Sequence, residues 1–194
     1  TDISGTIPTE VGLLTSLIEI EAIGSRLTGT LPSELGLLDK LHSFATYDSG
    51  LSGTLPSTLG NLKSAEYLLL SELFLTGTIP TEIGKMDMLV SLSLSLNTLN
   101  GTIPAELGRL TNVKELYFIY NHLTGTVPSQ LGNLSKLERL SLFRMQLSGS
   151  MPSEICALFD NGALMQLENS CEMVACDCCT RCINPTTVGT GGNN

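Results

Sequence analysis

Cysteine is absent from the first 155 of the 194 residues, and basic side chains are scarce throughout. Ten Lys and Arg against 19 Asp and Glu leave a formal net charge of −9 and a pI near 4.6. Domains that bind nucleic acid carry a basic footprint, so this balance argues against such a partner. Long apolar runs are also missing. A membrane-crossing helix needs about 20 consecutive apolar residues, whereas a run such as 67–70 has the length of a strand. Histidine occurs only as His42 and His122, which leaves little material for acid–base chemistry.

What is abundant is a four-residue phrase. Gly5-Thr6-Ile7-Pro8 returns as Gly29-Thr30-Leu31-Pro32, Gly53-Thr54-Leu55-Pro56, Gly77-Thr78-Ile79-Pro80, Gly101-Thr102-Ile103-Pro104, Gly125-Thr126-Val127-Pro128 and Gly149-Ser150-Met151-Pro152. The seven copies are each displaced by 24 residues, without insertion or deletion. A period of this size marks a solenoid, whose units cannot bury their apolar faces alone and must stack. The chain is therefore one elongated domain, with seven units spanning about 30 Å if strands stack about 4.8 Å apart.

Apolar columns run through every unit. Leu14, Leu38, Leu62, Met86, Leu110, Leu134 and Leu158 form one; Leu27, Leu51, Leu75, Leu99, Leu123 and Leu147 form another. Ile20, Phe44, Leu68, Leu92, Leu116 and Leu140 alternate with Ala22, Thr46, Leu70, Leu94, Phe118 and Leu142 two residues on, the period of a short strand with one face inward. This pattern over residues 1–170 is identified as that of leucine-rich repeats. Its Gly-x-Ile-Pro variant resembles the plant-specific class of receptor-kinase ectodomains and cell-wall inhibitor proteins. The resemblance implies an α/β solenoid, mostly β and loop: a right-handed superhelix of about seven units with a parallel concave sheet. Residues 1–155 are assigned to repeats, 156–182 to a cysteine-rich cap and 183–194 to a flexible tail. Thr1-Asp2-Ile3-Ser4 aligns inside a repeat. A solenoid hides its apolar cross-section with polar caps, so the expectation is a processed or truncated piece, or an end that docks on a partner or on another copy.

Cys156, Cys171, Cys176, Cys178, Cys179 and Cys182 are crowded into the C-terminal end, and Cys156 takes the column held by glycine in the six preceding units. Closely spaced thiols can ligate zinc. An even count and the lack of nearby histidine favour disulfides instead, as does the resemblance, because extracellular repeats of this family end in disulfide caps. The cluster is also similar to the cysteine-rich ends of secreted algal leucine-rich repeat proteins. All fifteen pairings of six cysteines stay open, although direct Cys178–Cys179 pairing requires a strained ring. After Leu158 an apparent three-residue insertion near Asp160-Asn161-Gly162 precedes a last strand over 164–167. Asn100-Gly101-Thr102 and Asn133-Leu134-Ser135 match the N-glycosylation acceptor, and with the cap they point to a secreted or cell-surface protein.

In this family the outward positions of the concave strands read ligands. All four tyrosines of the chain, Tyr47, Tyr67, Tyr117 and Tyr120, fall in those columns, together with Phe143, Arg139, Arg144, Glu19 and Glu21. Tyrosine offers an apolar face and a hydrogen-bonding tip to sugars and peptides, although aromatic residues also favour strands generally. Tyr117 and Tyr120 are expected on one strand with Phe143 on the next, as the densest aromatic cluster. The middle unit, with Ser91, Ser93 and Ser95, is small and neutral. The usual turn asparagine survives as Asn97 and Asn121, while Ser25, Ser49, Leu73 and Met145 replace it elsewhere. That substitution predicts local irregularity at Leu73 and Met145.

Ser/Thr pairs flank the phrase glycines, as in Thr28 with Thr30 and Thr76 with Thr78. Stacked, they make hydroxyl ladders that resemble the flat threonine faces of ice-binding solenoids. Ser/Thr-Gly-x-Ile-Pro is also ordinary in plant-type repeats that bind no ice, and Asn100 interrupts the array. The sequence contains no nucleophile motif. The periodic Glu10, Glu34, Glu82, Glu106 and Glu154 belong to the scaffold, with Glu82–Lys85 and Glu106–Arg109 expected to pair. The functional expectation is a non-enzymatic extracellular module, without cofactor or metal, that binds a protein, peptide or glycan on its concave face. A structural protein of a matrix, sheath or filament is the alternative, and ice binding a lesser one.

Overall fold

A computed structural model describes residues 3–170, 174–179 and 181–182, with backbone alone for the last two. Cys171 and the proposed tail at 183–194 lie outside the described residues. Each unit supplies a short strand to one long parallel sheet. Its eight strands are, in spatial order, Glu19–Glu21, Ser43–Tyr47, Tyr67–Ser71, Ser91–Ser93, Glu115–Tyr117, Arg139–Leu142, Gln166–Asn169 and Arg181–Cys182. The first six pair in a register of one full repeat, as in Ser43↔Tyr67, Tyr67↔Ser91 and Ser91↔Glu115.

Behind each strand the chain returns through the phrase proline, whose ring fixes φ near −65° and opens a short 3-10 turn. Ser33–Leu37, Ser57–Asn61, Thr81–Lys85 and their equivalents follow this rule. The glycine within each turn is required by packing: a Cβ on Gly60 would sit 2.2 Å from the Glu82 carbonyl oxygen of the next unit. In the last unit Cys156 stands in that column, within the α-helix Ser153–Asp160, and faces Cys178 rather than another turn. A second parallel sheet of four strands, Ser4–Thr6, Arg26–Thr30, Gly50–Thr54 and Phe74–Thr76, lines another side of the N-terminal half.

Between the sheets and turns lies one continuous core, in which Leu38, Leu62, Leu68, Leu92, Leu116 and Leu140 are fully buried. Leu14, in the same column as Leu38, is 55% exposed in the first unit, with Leu13 and Ile18 exposed beside it. Asn97 and Asn121 hold the interior of the strand-exit turns. Asn97 donates to the Leu70, Leu94 and Ser95 carbonyls and accepts from the Leu75 N–H, while Asn121 accepts from the Leu99 N–H. At the expected irregularities, Leu73 and Met145 turn inward and are buried. Thr46 substitutes one repeat earlier, donating its buried hydroxyl to the Ala22 carbonyl.

Three expectations are corrected. The last long-sheet strand before the cap is Gln166–Asn169 rather than 164–167; its register with Arg139–Leu142 is displaced by the three inserted residues. Glu82–Lys85 and Glu106–Arg109 do not pair among the described residues. Glu82 instead accepts from the Thr81 hydroxyl, as Glu34 does from Ser33. Tyr120 is not on its unit's strand, which ends at Tyr117.

The cap contains the disulfides Cys156–Cys178 and Cys176–Cys179. The first ties the terminal helix to the cap. No group of residues suited to hold a metal ion occurs among the described residues, and no described helix is long and apolar enough to cross a membrane.

Candidate functional site

Strand alternation turns one set of side chains into the core and the other onto the open face of the long sheet. On that face a groove of about 370 Å³ is lined by Tyr47, Tyr67, Leu69, Ser71, Ser91, Ser93, Glu115 and Tyr117. It forms where the small middle unit lies between two bulky ones. Ser91 and Ser93 make the floor, Tyr67 and Leu69 rise on one neighbouring strand, and Glu115 and Tyr117 rise on the other. Three of the four tyrosines are thus brought together.

The polar groups of the groove are already connected. The Ser91 hydroxyl donates to Glu115 at 3.1 Å, and the Ser71 and Ser93 hydroxyls lie 2.7 Å apart. Arg139 pairs with Glu115 and lies close enough to Tyr117 for the two side chains to influence each other's ionisation. Burial, and then the Glu115 carboxylate, push the Tyr117 phenol above its ordinary pKa, while Arg139 pulls in the opposite direction. Its two neighbours push the Arg139 guanidinium higher still. Further along, Ser141 is buried and donates to the buried Glu168 at 3.0 Å. The groove therefore carries fixed dipoles and the Glu115–Arg139 ion pair at its edge.

Tyr120, Phe143 and Arg144 form a separate cluster past the strand ends. Tyr120 and Arg144 have φ of 56° and 59°, a left-handed conformation that redirects the side chain after the strand. The Tyr120 and Phe143 rings meet edge-on at 6.1 Å, and the Arg144 guanidinium lies 5.6 Å from the Tyr120 centroid. Tyr120 and Arg144 border a cavity of about 400 Å³ with Asn121, His122, Met145, Gln146 and Ser170. Glu19 and Glu21 are exposed on the first strand and join neither grouping. The expected single cluster is two. Glu115, Leu69 and Ser71 escaped selection as site residues, although the run of small residues in the middle unit was the available signal.

Asn100 and Asn133, the acceptor asparagines, are both exposed, the latter at the end of the turn Ser129–Asn133. The hydroxyl ladders differ from each other. Thr28, Ser52, Thr76, Thr124 and Ser148 donate to the preceding unit's phrase-glycine carbonyl. In the phrase column, Thr30 places its methyl where a Cβ on Gly53 would be 2.7 Å away, and Thr54, Thr78 and Thr102 repeat the contact on later glycines. Those methyls fix the rotamers, and the exposed hydroxyls border a flank cavity of about 970 Å³ from Thr78 to Thr126.

The Leucine Rich Repeat family profile matches residues 88–110 and 112–134. Comparison with curated proteins gives no match. Among solved structures, the chain is similar to the plant peptide hormone receptor RGFR1 in complex with RGF2, with 32% identity and a TM-score of 0.81. That alignment covers 91% of this chain and 28% of the receptor chain. A chain in the BIR3–SERK2 complex from Arabidopsis thaliana is 34% identical, with a TM-score of 0.56 and 68% of each chain covered. A plant ice-binding protein is 26% identical, with a TM-score of 0.73, over 89% of this chain and 54% of that one. The chain belongs to the leucine-rich repeat family, and its structural neighbours include ectodomains of plant receptor kinases.

Proposed function

We propose that this chain is a non-catalytic extracellular binding module that recognises a protein, peptide or glycan through the open face of its long sheet. The observation that carries this reading is the tyrosine groove over Ser91 and Ser93, where a hydrogen-bonded floor and aromatic walls stand preorganised on rigid strands. A rigid surface loses little conformational freedom on binding. The ligand-bound receptor RGFR1 supports the reading by analogy. The disulfides and exposed acceptor asparagines fit secretion or cell-surface display, with a glycan on Asn133 in native material.

The test is selection from a random-peptide display library and an immobilised glycan array, using the wild-type chain and a Tyr67→Ala/Tyr117→Ala variant. Retained binders should lose about thirtyfold or more in affinity when both anchors are removed. Binders indifferent to the double change would refute the assignment. Assembly through the apolar surface at Leu14, whose column is buried in the following units, is the competing structural role and predicts concentration-dependent growth in light scattering.

A second reading, ice binding, is favoured by the fixed phrase threonines and by the ice-binding neighbour. Replacing Thr78 and Thr102 with lysine should then abolish inhibition of ice recrystallisation. A wild-type chain without such inhibition would exclude it.

A further inference from the structure

The chemistry of the tyrosine groove selects among the ligand classes of the binding reading, on which this inference rests. Tyr67 and Tyr117 stand one strand to either side of the serine floor. Strands lie about 4.8 Å apart and rise about 3.3 Å per residue. Tyr67 sits opposite Ser91 and Tyr117 opposite Ser93, so the two side chains arise about 12 Å apart on a diagonal across the floor. Close atomic contact takes about 3.5–4 Å, and two such contacts leave room for a single ring between the tyrosines. Tyr47 borders the same groove.

The floor decides which ring. Strand Ser91–Ser93 pairs with a strand on each side, so the groove is a closed part of the sheet and not an edge to which a peptide backbone adds as a new strand. Beside the tyrosine phenols, its polar side-chain groups are the hydroxyls of Ser71, Ser91 and Ser93 and the Glu115 carboxylate. These groups bond one another but keep unused acceptor positions. An aromatic or aliphatic side chain would satisfy the walls but strip those positions of water without replacing it. A sugar ring satisfies both surfaces, with C–H faces against the tyrosines and hydroxyls toward the serines and the carboxylate. Because Arg139 balances Glu115, an acidic sugar would bring an uncompensated charge.

We propose that this groove binds a neutral pyranose ring within a glycan chain, gripped between Tyr67 and Tyr117 over the Ser91–Ser93 floor. The experiment titrates the 194-residue chain with neutral β-linked hexasaccharides of glucose, mannose and xylose, read by saturation-transfer NMR and calorimetry. At least one should bind, with transfer to its ring protons. Tyr67→Ala and Tyr117→Ala should each weaken binding about tenfold, and Ser93→Val should weaken it measurably. Phe74→Ala, on the other sheet, should leave it unchanged. Circular dichroism melting checks that each variant is folded. Sugar binding indifferent to the tyrosine changes overturns the proposal. Failure of every sugar, with a selected peptide still losing affinity in Tyr117→Ala, overturns it and leaves the broader reading intact. Failure of sugars and peptides alike overturns both.

Discussion

Replacing Asn97 with alanine tests the internal logic of the solenoid, because this side chain serves two units at once. It is 6% exposed and makes four hydrogen bonds: three donated, to Leu70, Leu94 and Ser95, and one accepted from the Leu75 N–H. Two of the partners have substitutes. Asn121 also donates to the Leu94 carbonyl, and the Glu72 N–H donates to Ser95. The Leu70 carbonyl and the Leu75 N–H then remain as buried groups without a donor or acceptor. An orphaned buried group costs about 1–3 kcal/mol, so the loss is about 2–6 kcal/mol. That is a large fraction of an ordinary domain's stability of about 5–15 kcal/mol. Denaturant unfolding measures the total, and amide exchange locates it: Leu75 should lose protection before Leu116 does. Asn97→Asp, which keeps an acceptor for Leu75 but cannot donate to Leu70, should not restore stability. A loss below about 1 kcal/mol, or uniform loss of protection along the chain, would refute the reasoning.

Gly60→Ala should destabilise the stack by about 1–3 kcal/mol, the range for overpacking, because its Cβ meets a backbone oxygen that cannot rotate away; thermal melting should show it. Tyr117 should hold its proton to higher pH than a free phenol, owing to burial and Glu115. With the folded pKa raised, its contribution to stability is complete below the unfolded value near 10 and fades as pH rises through the folded value. Alkaline unfolding of Tyr117→Phe should therefore lack that component. Cys156→Ala/Cys178→Ala should cost about 2–4 kcal/mol and release exchange protection in 153–169 first, since this bond ties helix Ser153–Asp160 to the cap; equal stability of this variant and the parent would contradict that role.

The repeat architecture was legible because stacking is a one-dimensional problem. A 24-residue period tells which side chains become neighbours, and the buried columns through Leu38, Leu68 and Leu75 fall where periodicity puts them. The three-residue slip after Leu158 was readable for the same reason, since it breaks the count. The candidate site was legible only as columns. Tyr47, Tyr67 and Tyr117 point outward because strand alternation requires it, but the groove depends on the Ser91–Ser93 strand lying low between them.

Sequence alone determined the period, the buried columns, the glycine positions and the set of outward residues, since each follows from local geometry repeated without interruption. Tertiary structure decided the rest. It separated Tyr120 from Tyr117, because the left-handed residue beyond the strand turns the chain away from the face. It chose Cys156–Cys178 and Cys176–Cys179 among the open pairings. It also converted Glu115 and Arg139 from two charges into one balanced pair, because the register that stacks adjacent repeats brings those side chains together.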